Sequence, residues 1–131
     1  MNLFKQSLAL LMVAVALFTT ACATQDQECT PPTVEQNIIG TWTVTSGTGT
    51  VEFKANGTFD DPNDDIIGGY FNSDTLDVKT YSIANDTLYA TAASSDTSSS
   101  NALNAKFPIE KNECDKITLS IISIPFILTR Q

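Results

Sequence analysis

The chain has 131 residues, with 15 acidic residues, 7 basic residues and no histidine, so its formal net charge is −8. Without histidine it cannot build a His-ligated metal site, a Ser-His-Asp triad or a Cys-His dyad. The excess of negative charge repels the phosphate backbone, and we therefore discard nucleic acid as a partner.

The first 22 residues have the pattern of an export signal. Lys5 precedes an apolar run over residues 8–18, and Thr20-Ala21-Cys22 follows it. A basic start, a short apolar run and small residues are typical of a secretory signal, and this run is too short to span a bilayer core of ~30 Å. The cysteine after the small residues resembles the cleavage site of a bacterial lipoprotein. We therefore predict a signal peptide over residues 1–21 and fatty acylation, for example with palmitate, on Cys22.

From Cys22 onward the chain has fifteen acidic and six basic residues, a net charge of −9. Anionic headgroups repel such a chain, so we expect it to attach to the membrane through the acyl chains on Cys22. Ala23 follows the cysteine where many proteins retained in the inner membrane have aspartate. We therefore expect the outer membrane of a bacterial envelope, on its periplasmic face or at the cell surface.

Residues 22–32 are polar and end at Pro31-Pro32, which predicts a tether. The rest, residues 33–131, is long enough for one domain with a modest core. Thr33 and Gln36 fit a capping box, so one short helical turn is expected before the first strand.

After residue 37 the chain is dominated by apolar residues that alternate with polar ones, between turn signals about every ten residues. This pattern predicts an all-β antiparallel barrel or sandwich built of hairpins. The inward-facing set that we expect comprises Trp42, Val44, Val51, Phe53, Phe59, Tyr81, Ile83, Leu88, Ile109, Ile117, Leu119, Phe126 and Leu128, together with the small residues Gly40, Ala90 and Ala92.

One hairpin can be predicted in register. Asn56-Gly57 favours a two-residue turn, but that turn would place Phe53 and Phe59 on opposite faces of the sheet. A three-residue loop with Gly57 in the left-handed region buries both rings. Burying a phenylalanine contributes roughly 1.5–3 kcal/mol, so we predict the three-residue loop.

Three segments depart from the alternation. The acidic residues 60–69 and the polar residues 94–104 are expected to form loops that flank the mouth of a barrel. The apolar parity changes near Ile124-Pro125, which predicts a tight turn or bulge there.

Cys29 and Cys114 are the two cysteines that remain after Cys22. In an oxidising envelope two such thiols usually pair, which predicts a disulfide; the alternative is two separate buried thiols.

The residues also carry a family likeness. Ile39-Gly-Thr-Trp42 opens the first strand, Phe53-Lys-Ala-Asn-Gly-Thr-Phe59 and residues 81–88 form hairpins, and Leu128-Thr-Arg130 ends the last strand. In this order the chain resembles the small lipocalin-like lipoproteins of Gram-negative envelopes. The resemblance implies an up-and-down β-barrel of about eight strands. It also implies that Trp42 plugs one end of the barrel beneath Arg130.

Two non-enzymatic functions are compatible with such a barrel. The first is a binding module for a small apolar or amphipathic ligand. The alternative is an envelope interaction protein whose barrel is filled by its own side chains and whose loops contact a protein or a glycan. The ligand-binding candidates for the first function are aromatic: Trp42, Phe53, Phe59, Tyr70, Tyr81 and Tyr89.

Catalysis, metals and cofactors are not expected. None of the carboxylates lies in an apolar run that would raise its pKa by burial. Asp61, Asn63 and Asp65 resemble the start of a calcium loop, but Ile66 stands where glycine is needed and Asn72 where the last carboxylate is needed. We expect these loop carboxylates to be solvated.

Overall fold

The computed structural model describes residues 29–45 and 47–131. The predicted signal peptide, Cys22 and most of the predicted tether lie outside this part of the chain. One short helix, α1, covers Val34–Asn37. Ten strands follow: β1 Gly40–Val44, β2 Thr50–Phe53, β3 Phe59–Asp60, β4 Tyr70–Phe71, β5 Asp74–Thr75, β6 Val78–Ala84, β7 Thr87–Ala93, β8 Ala102–Asn112, β9 Lys116–Ile121 and β10 Ile124–Arg130.

Eight of these strands form one antiparallel sheet in the order β3-β2-β1-β10-β9-β8-β7-β6. Each strand therefore lies beside its neighbour in the chain, and β1 pairs with β10. The edge strands β3 and β6 approach each other, which nearly closes the sheet into an up-and-down barrel. The predicted fold class is confirmed. β4 and β5 form a separate small hairpin between β3 and β6.

The barrel interior holds the side chains that the alternation predicted. Burial alternates strictly along β2 and β7, as expected for a sheet with one face in the core. Tyr81, Ile83 and Ile109 pack against the core without being fully buried. The buried apolar residues are Val34, Ile38, Trp42, Val44, Val51, Phe53, Phe59, Ile66, Ile67, Leu76, Leu88, Ala90, Ala92, Phe107, Ile117, Leu119, Phe126 and Leu128.

The β2–β3 hairpin has the predicted register. Phe53 pairs with Phe59, and the amide of Lys54 donates to the Thr58 carbonyl at 2.9 Å. Gly57 has a φ of 83°, in the left-handed region that glycine adopts without steric cost. The two phenylalanine rings stack with their centroids 5.3 Å apart, so burial of both rings decided the type of turn.

Three other hairpins close through two-residue turns in which both residues have positive φ: Asn72-Ser73, Asn85-Asp86 and Ile122-Ser123. Such turns match the twist of the strands that they connect. The turn predicted near Ile124-Pro125 therefore lies two residues earlier, at Ile122-Ser123. Both Ile124 and Pro125 belong to β10.

One end of the barrel is closed by the residues that the resemblance implied. The Arg130 guanidinium lies 4.3 Å from the centre of the Trp42 ring, and the indole N–H donates to the Ile38 carbonyl at 2.6 Å. Arg130 also donates to the Oδ1 of Asn37 at 2.8 Å and to the carbonyl of Cys114 at 3.2 Å. The last strand thereby fastens α1 and the β8–β9 turn to the first strand.

Cys29 and Cys114 form a disulfide at this same end, with their Cα atoms 6.2 Å apart. The predicted pairing is confirmed, and the alternative of two separate thiols does not apply. The bridge joins the segment before α1 to the β8–β9 turn.

The expected helix is also present, but the Thr33 side chain makes no capping hydrogen bond, and the backbone carbonyl of Thr33 accepts from Gln36 and Asn37 instead.

The seam between β3 and β6 is bridged by few backbone contacts because β3 has only two residues. Thr58 and Thr80 form a single β-bridge, and the Tyr81 amide donates to the Gly57 carbonyl at 2.7 Å. The Tyr81 hydroxyl donates to the Lys54 carbonyl at 2.8 Å. Contacts of the Tyr81 side chain therefore add to these backbone hydrogen bonds in holding the barrel closed.

The up-and-down topology gives the barrel two distinct ends. The disulfide end contains α1 and the turns at residues 54–58, 85–86 and 113–115. The loop end contains residues 45 and 47–49, residues 61–77, residues 94–101 and residues 122–123. In the part of the chain that the structure describes, no helix is long and apolar enough to cross a membrane.

Candidate functional site

The interior between the two ends is densely packed. Trp42, Leu88 and Leu119 lie on different sides of the barrel, and each has an exposed fraction of 0%. A void large enough for water would leave part of the surrounding side chains exposed, so these three residues line no such void. Among the described residues, no buried side-chain nitrogen or oxygen lacks a hydrogen-bond partner. The described core thus presents no unpaired polar group to a ligand.

The loop over residues 61–69 covers the mouth that it was expected to flank. Ile66 and Ile67 are buried, as is Leu76 from the segment after β5. The Leu76 amide donates to the Gly69 carbonyl at 2.8 Å, which joins the two segments. These apolar side chains complete the core at the loop end.

Asp61 organises this loop, and the expectation that it is solvated is wrong. Its side chain is fully buried. Its carboxylate accepts hydrogen bonds from the amides of Asp65, Ile66 and Ile67 at 2.7, 3.0 and 3.1 Å. The Lys79 ammonium lies 3.3 Å from it and also donates to the Asp61 carbonyl at 2.8 Å. Sequence reasoning missed this role because Asp61 stands among exposed acidic neighbours.

The other carboxylates of the calcium-like segment serve different partners. Asp65 accepts from the amides of Thr48 and Gly49, both at 3.1 Å, and so ties the β1–β2 loop to this segment. Asp64 accepts from Lys79 at 2.6 Å, and this hydrogen bond lowers the pKa of Asp64. No cluster of three or more His, Cys, Asp or Glu side chains suited to a metal ion occurs among residues 29–45 and 47–131.

The six predicted aromatic ligand residues do not form one site. Phe53, Phe59 and Tyr81 pack together across the seam, with the Phe53 and Tyr81 rings 5.0 Å apart. Trp42 is covered by Arg130 at the disulfide end.

The remaining two aromatic candidates lie outside the barrel. Tyr89 faces outward, with the Lys106 ammonium 5.7 Å from its ring centre. Tyr70 lies in β4 at the loop end, with an exposed fraction of 66%. Of the six predicted residues, only Tyr70 is a freely exposed aromatic side chain.

The large exposed apolar residues are concentrated at the loop end. Ile122 and Ile124, at the tip of the β9–β10 hairpin, have exposed fractions of 93% and 68%. Ile121 and Phe71 are exposed as well, whereas Ile39 is the exposed large apolar residue at the disulfide end of the described chain. Sequence reasoning assigned no role to Ile121, Ile122 and Ile124, although an apolar run at a predicted turn was the available signal.

A groove of about 660 Å³ adjoins this tip on the outer face of the barrel. Ile122 and Ser123 line one end, and Pro108 and Pro125 stand on strands β8 and β10 on either side of Ser120. The groove is open to solvent. It therefore offers a surface for contact rather than an enclosed ligand site.

The loop end is also acidic. Its four segments contain six aspartates and no lysine or arginine. Lys79, at the start of β6, lies beside two of these aspartates, Asp61 and Asp64. Among the rest, Asp74 accepts from the side-chain amide of Asn101 at 2.7 Å and Asp77 from Ser95, which are neutral donors. The hydrogen bonds lower the pKa values of Asp74, Asp77 and Asp96, so these carboxyls are ionised at neutral pH.

We predict a pH-dependent contact between Asp77 and the loop over residues 94–101. The Ser95 hydroxyl and amide donate to Asp77 at 2.7 and 2.8 Å, and they lower its pKa below 3.8. A depressed pKa means that the contact is fully formed above the ordinary pKa and is lost as the pH falls through the lower, folded-state value. The Ser95 amide resonance in an NMR titration should therefore shift with a midpoint below 3.8, and it should not shift in Asp77→Asn. A midpoint at or above 3.8 would contradict this contact.

Comparisons of the chain with protein-family models, curated proteins and solved structures find no match. The likeness to lipocalin-like lipoproteins therefore rests on the residues quoted above and on the barrel itself. Functional residues must be inferred from the geometry of this chain alone.

Proposed function

We propose that this protein is a lipid-anchored module of the bacterial outer membrane, of the lipocalin-like kind, that binds a protein or glycan partner through its loop end. The barrel is filled by its own side chains and serves as a rigid scaffold. The observation that carries the proposal is the contrast between the interior and the loop end. Core residues such as Trp42 have no exposed surface, whereas Ile122 has an exposed fraction of 93%.

The position of the predicted lipid anchor also supports the loop end as the surface that binds a partner. Cys22 precedes Cys29 by seven residues, which span at most ~25 Å when fully extended. Since Cys29 is bonded to Cys114 at the disulfide end, acyl chains on Cys22 hold that end close to the membrane. The loop end then faces away from the anchoring leaflet, toward partners.

The carrier function predicted from the same barrel has less support. A carrier needs a connected apolar void, typically ~300–1,000 Å³ for a small molecule. Two grooves of about 660 Å³ reach that size, but both are open to solvent: the one beside Ile122 lies on the outer face of the barrel, and the other lies at the loop end among Phe59, Leu76 and several aspartates. We therefore prefer the interaction module to the binding module.

The anchor can be tested directly. The full chain should incorporate a fatty-acid probe in a bacterial host, and Cys22→Ser should abolish the labelling. Cys29→Ser is the matched control and should still be labelled, because its thiol is the one bonded to Cys114. Labelling of the Cys22→Ser variant would refute the lipoprotein assignment.

The partner can be tested by native mass spectrometry of the mature protein purified from membranes of its own host. A co-purifying protein or glycan, lost when Tyr70 and Ile124 are both replaced with serine, supports the proposal. A retained apolar small molecule that survives the same replacements supports the carrier instead.

A further inference from the structure

We propose that the loop end docks on a protein whose contact surface combines an apolar patch with basic side chains, and that Ile122 enters the apolar patch. This inference rests on the proposed function and specifies the chemistry of the partner. The tip of the β9–β10 hairpin, defined as residues 121–125, forms the centre of the contact.

Ile122 has a backbone conformation that is unusual for its side chain. In the three two-residue turns with positive φ, the first residue is Asn72, Asn85 or Ile122, with φ values of 51°, 49° and 47°. Asparagine tolerates this region, but a β-branched side chain is crowded there by its own backbone. Two turns of this protein thus use the expected residue, and the third uses one of the least suitable.

The exposure of Ile122 removes the usual explanation for such a choice. A strained apolar residue in a core is compensated by burial, but Ile122 has an exposed fraction of 93% in this fold. Folding therefore gains nothing from isoleucine at this position. Backbone strain that the fold does not need points to a function, in this case a contact made outside the chain.

The surroundings of Ile122 indicate how that contact is completed. Ile124 is 68% exposed on the neighbouring strand, and the groove of about 660 Å³ begins beside the turn. Exposed aliphatic side chains offer no hydrogen bonds to sugar hydroxyls. An apolar patch on a protein matches this tip, whereas a glycan does not.

The negative charge of the loop end distinguishes between a second copy of the chain, a membrane surface and a basic protein as its partner. The loop end carries six aspartates and no lysine or arginine, and Lys79 contacts only two of them, Asp61 and Asp64. The groove beside the tip contains one residue of each charge, Lys106 and Glu110, so it adds no net charge to this surface. A second copy of the chain would bring the same negative charge, and an anionic membrane surface would be repelled as well. Basic side chains around the apolar patch complement this end.

A matched pair of turn variants tests whether Ile122 lowers the stability of the fold. Ile122→Asn should raise the melting temperature by a few degrees (about 2–5 °C), because it relieves the strain without removing buried surface. Asn85→Ile, at the same turn position of the disulfide end, should lower it by a similar amount. A melting temperature that falls in Ile122→Asn would show that the isoleucine serves the fold, and this would overturn the argument.

The partner is tested by photo-crosslinking in the full chain, expressed in its own host. A photoreactive residue replaces Ile124, which leaves Ile122 intact, and in a control it replaces Ala84, which flanks the turn of the disulfide end. The proposal expects a protein adduct at position 124 and none at position 84. Mass spectrometry of the crosslinked peptide should show a segment with net positive charge, and Ile122→Asn should reduce the adduct at least tenfold.

Other outcomes overturn the inference in distinguishable ways. An adduct with a second copy, with lipid, or with a neutral or acidic protein segment contradicts the basic protein partner. In a third variant the photoreactive residue replaces Tyr70, and a partner that crosslinks from position 70 but not from position 124 leaves the proposed function standing and refutes the role of Ile122. Absence of any adduct from positions 70 and 124 alike refutes both proposals.

Discussion

Asp61→Ala is expected to lower the free energy of unfolding by ~3–5 kcal/mol, because it leaves three loop amides without an acceptor and removes the buried one of the two counter-ions of Lys79, so that only the more exposed Asp64 remains. The Lys79 and Asp61 side chains have exposed fractions of 8% and 0%, so water cannot replace the lost carboxylate without opening the loop. Urea unfolding at neutral pH measures the difference. We expect the loop over residues 61–69 to lose its amide protection before the strands do.

The preceding residue provides a matched control. Asp60 also forms an ion pair, with Lys54 at 2.6 Å, but the two side chains are 60% and 40% exposed. Exposed pairs contribute only ~0–1 kcal/mol, so Asp60→Ala should remain close to the parent protein. If Asp61→Ala and Asp60→Ala lower the stability equally, Asp61 is not the residue that holds the loop over the barrel.

Removal of the Cys29–Cys114 disulfide is expected to have the second large effect, a loss of roughly 4–5 kcal/mol in the chain-entropy model. The two cysteines are 85 residues apart, so the bridge restricts a long loop of the unfolded chain. It also fixes the β8–β9 turn, whose Cys114 carbonyl accepts from Arg130. Urea unfolding of the Cys29→Ser/Cys114→Ser variant and the parent protein measures the loss.

Two results would contradict this expectation. Intact mass after alkylation, with and without reductant, should show a bridge in protein taken from an oxidising compartment, and two free thiols there would refute the pairing. A double variant within about 1 kcal/mol of the parent would show that the unfolded chain is already compact or that the bridge strains the fold. In that case the Arg130 and Asn37 contacts hold this end without the bridge.

The stability of the two ends matters for partner binding as well. A loop end held by Asp61 and a disulfide end held by Cys114 give a rigid scaffold between the anchor and the exposed tip. If both ends are rigid, partner binding should depend on the residues of the tip, such as Ile122, and not on loop ordering. A variant that loosens the covering loop, such as Asp61→Ala, then weakens the fold more than it weakens the contact.

The sequence by itself determined the all-β class, the inward face of the strands and the Phe53–Phe59 register. These follow from local rules, because alternation of period two assigns each side chain to a face and turn residues mark the ends of strands. The up-and-down order was implied by the resemblance, because the alternation alone was compatible with a barrel or a sandwich. The pairing of Cys29 with Cys114 followed from the oxidising compartment that the predicted lipoprotein signal implies, and the stacking of Arg130 on Trp42 followed from the resemblance together with parity.

Only the tertiary structure decided how the ends of the barrel are used. Asp61 looked like one more solvated aspartate, and its burial arises because Lys79 lies on β6, across the seam from β3. The turn was expected near Ile124-Pro125, and Ile122 is exposed because pairing of β9 with β10 places the turn at residues 122–123. Both outcomes depend on which strands become neighbours in space. Periodicity along the chain contains no information on such long-range contacts, because it reports the face of each residue and not the partner that it meets.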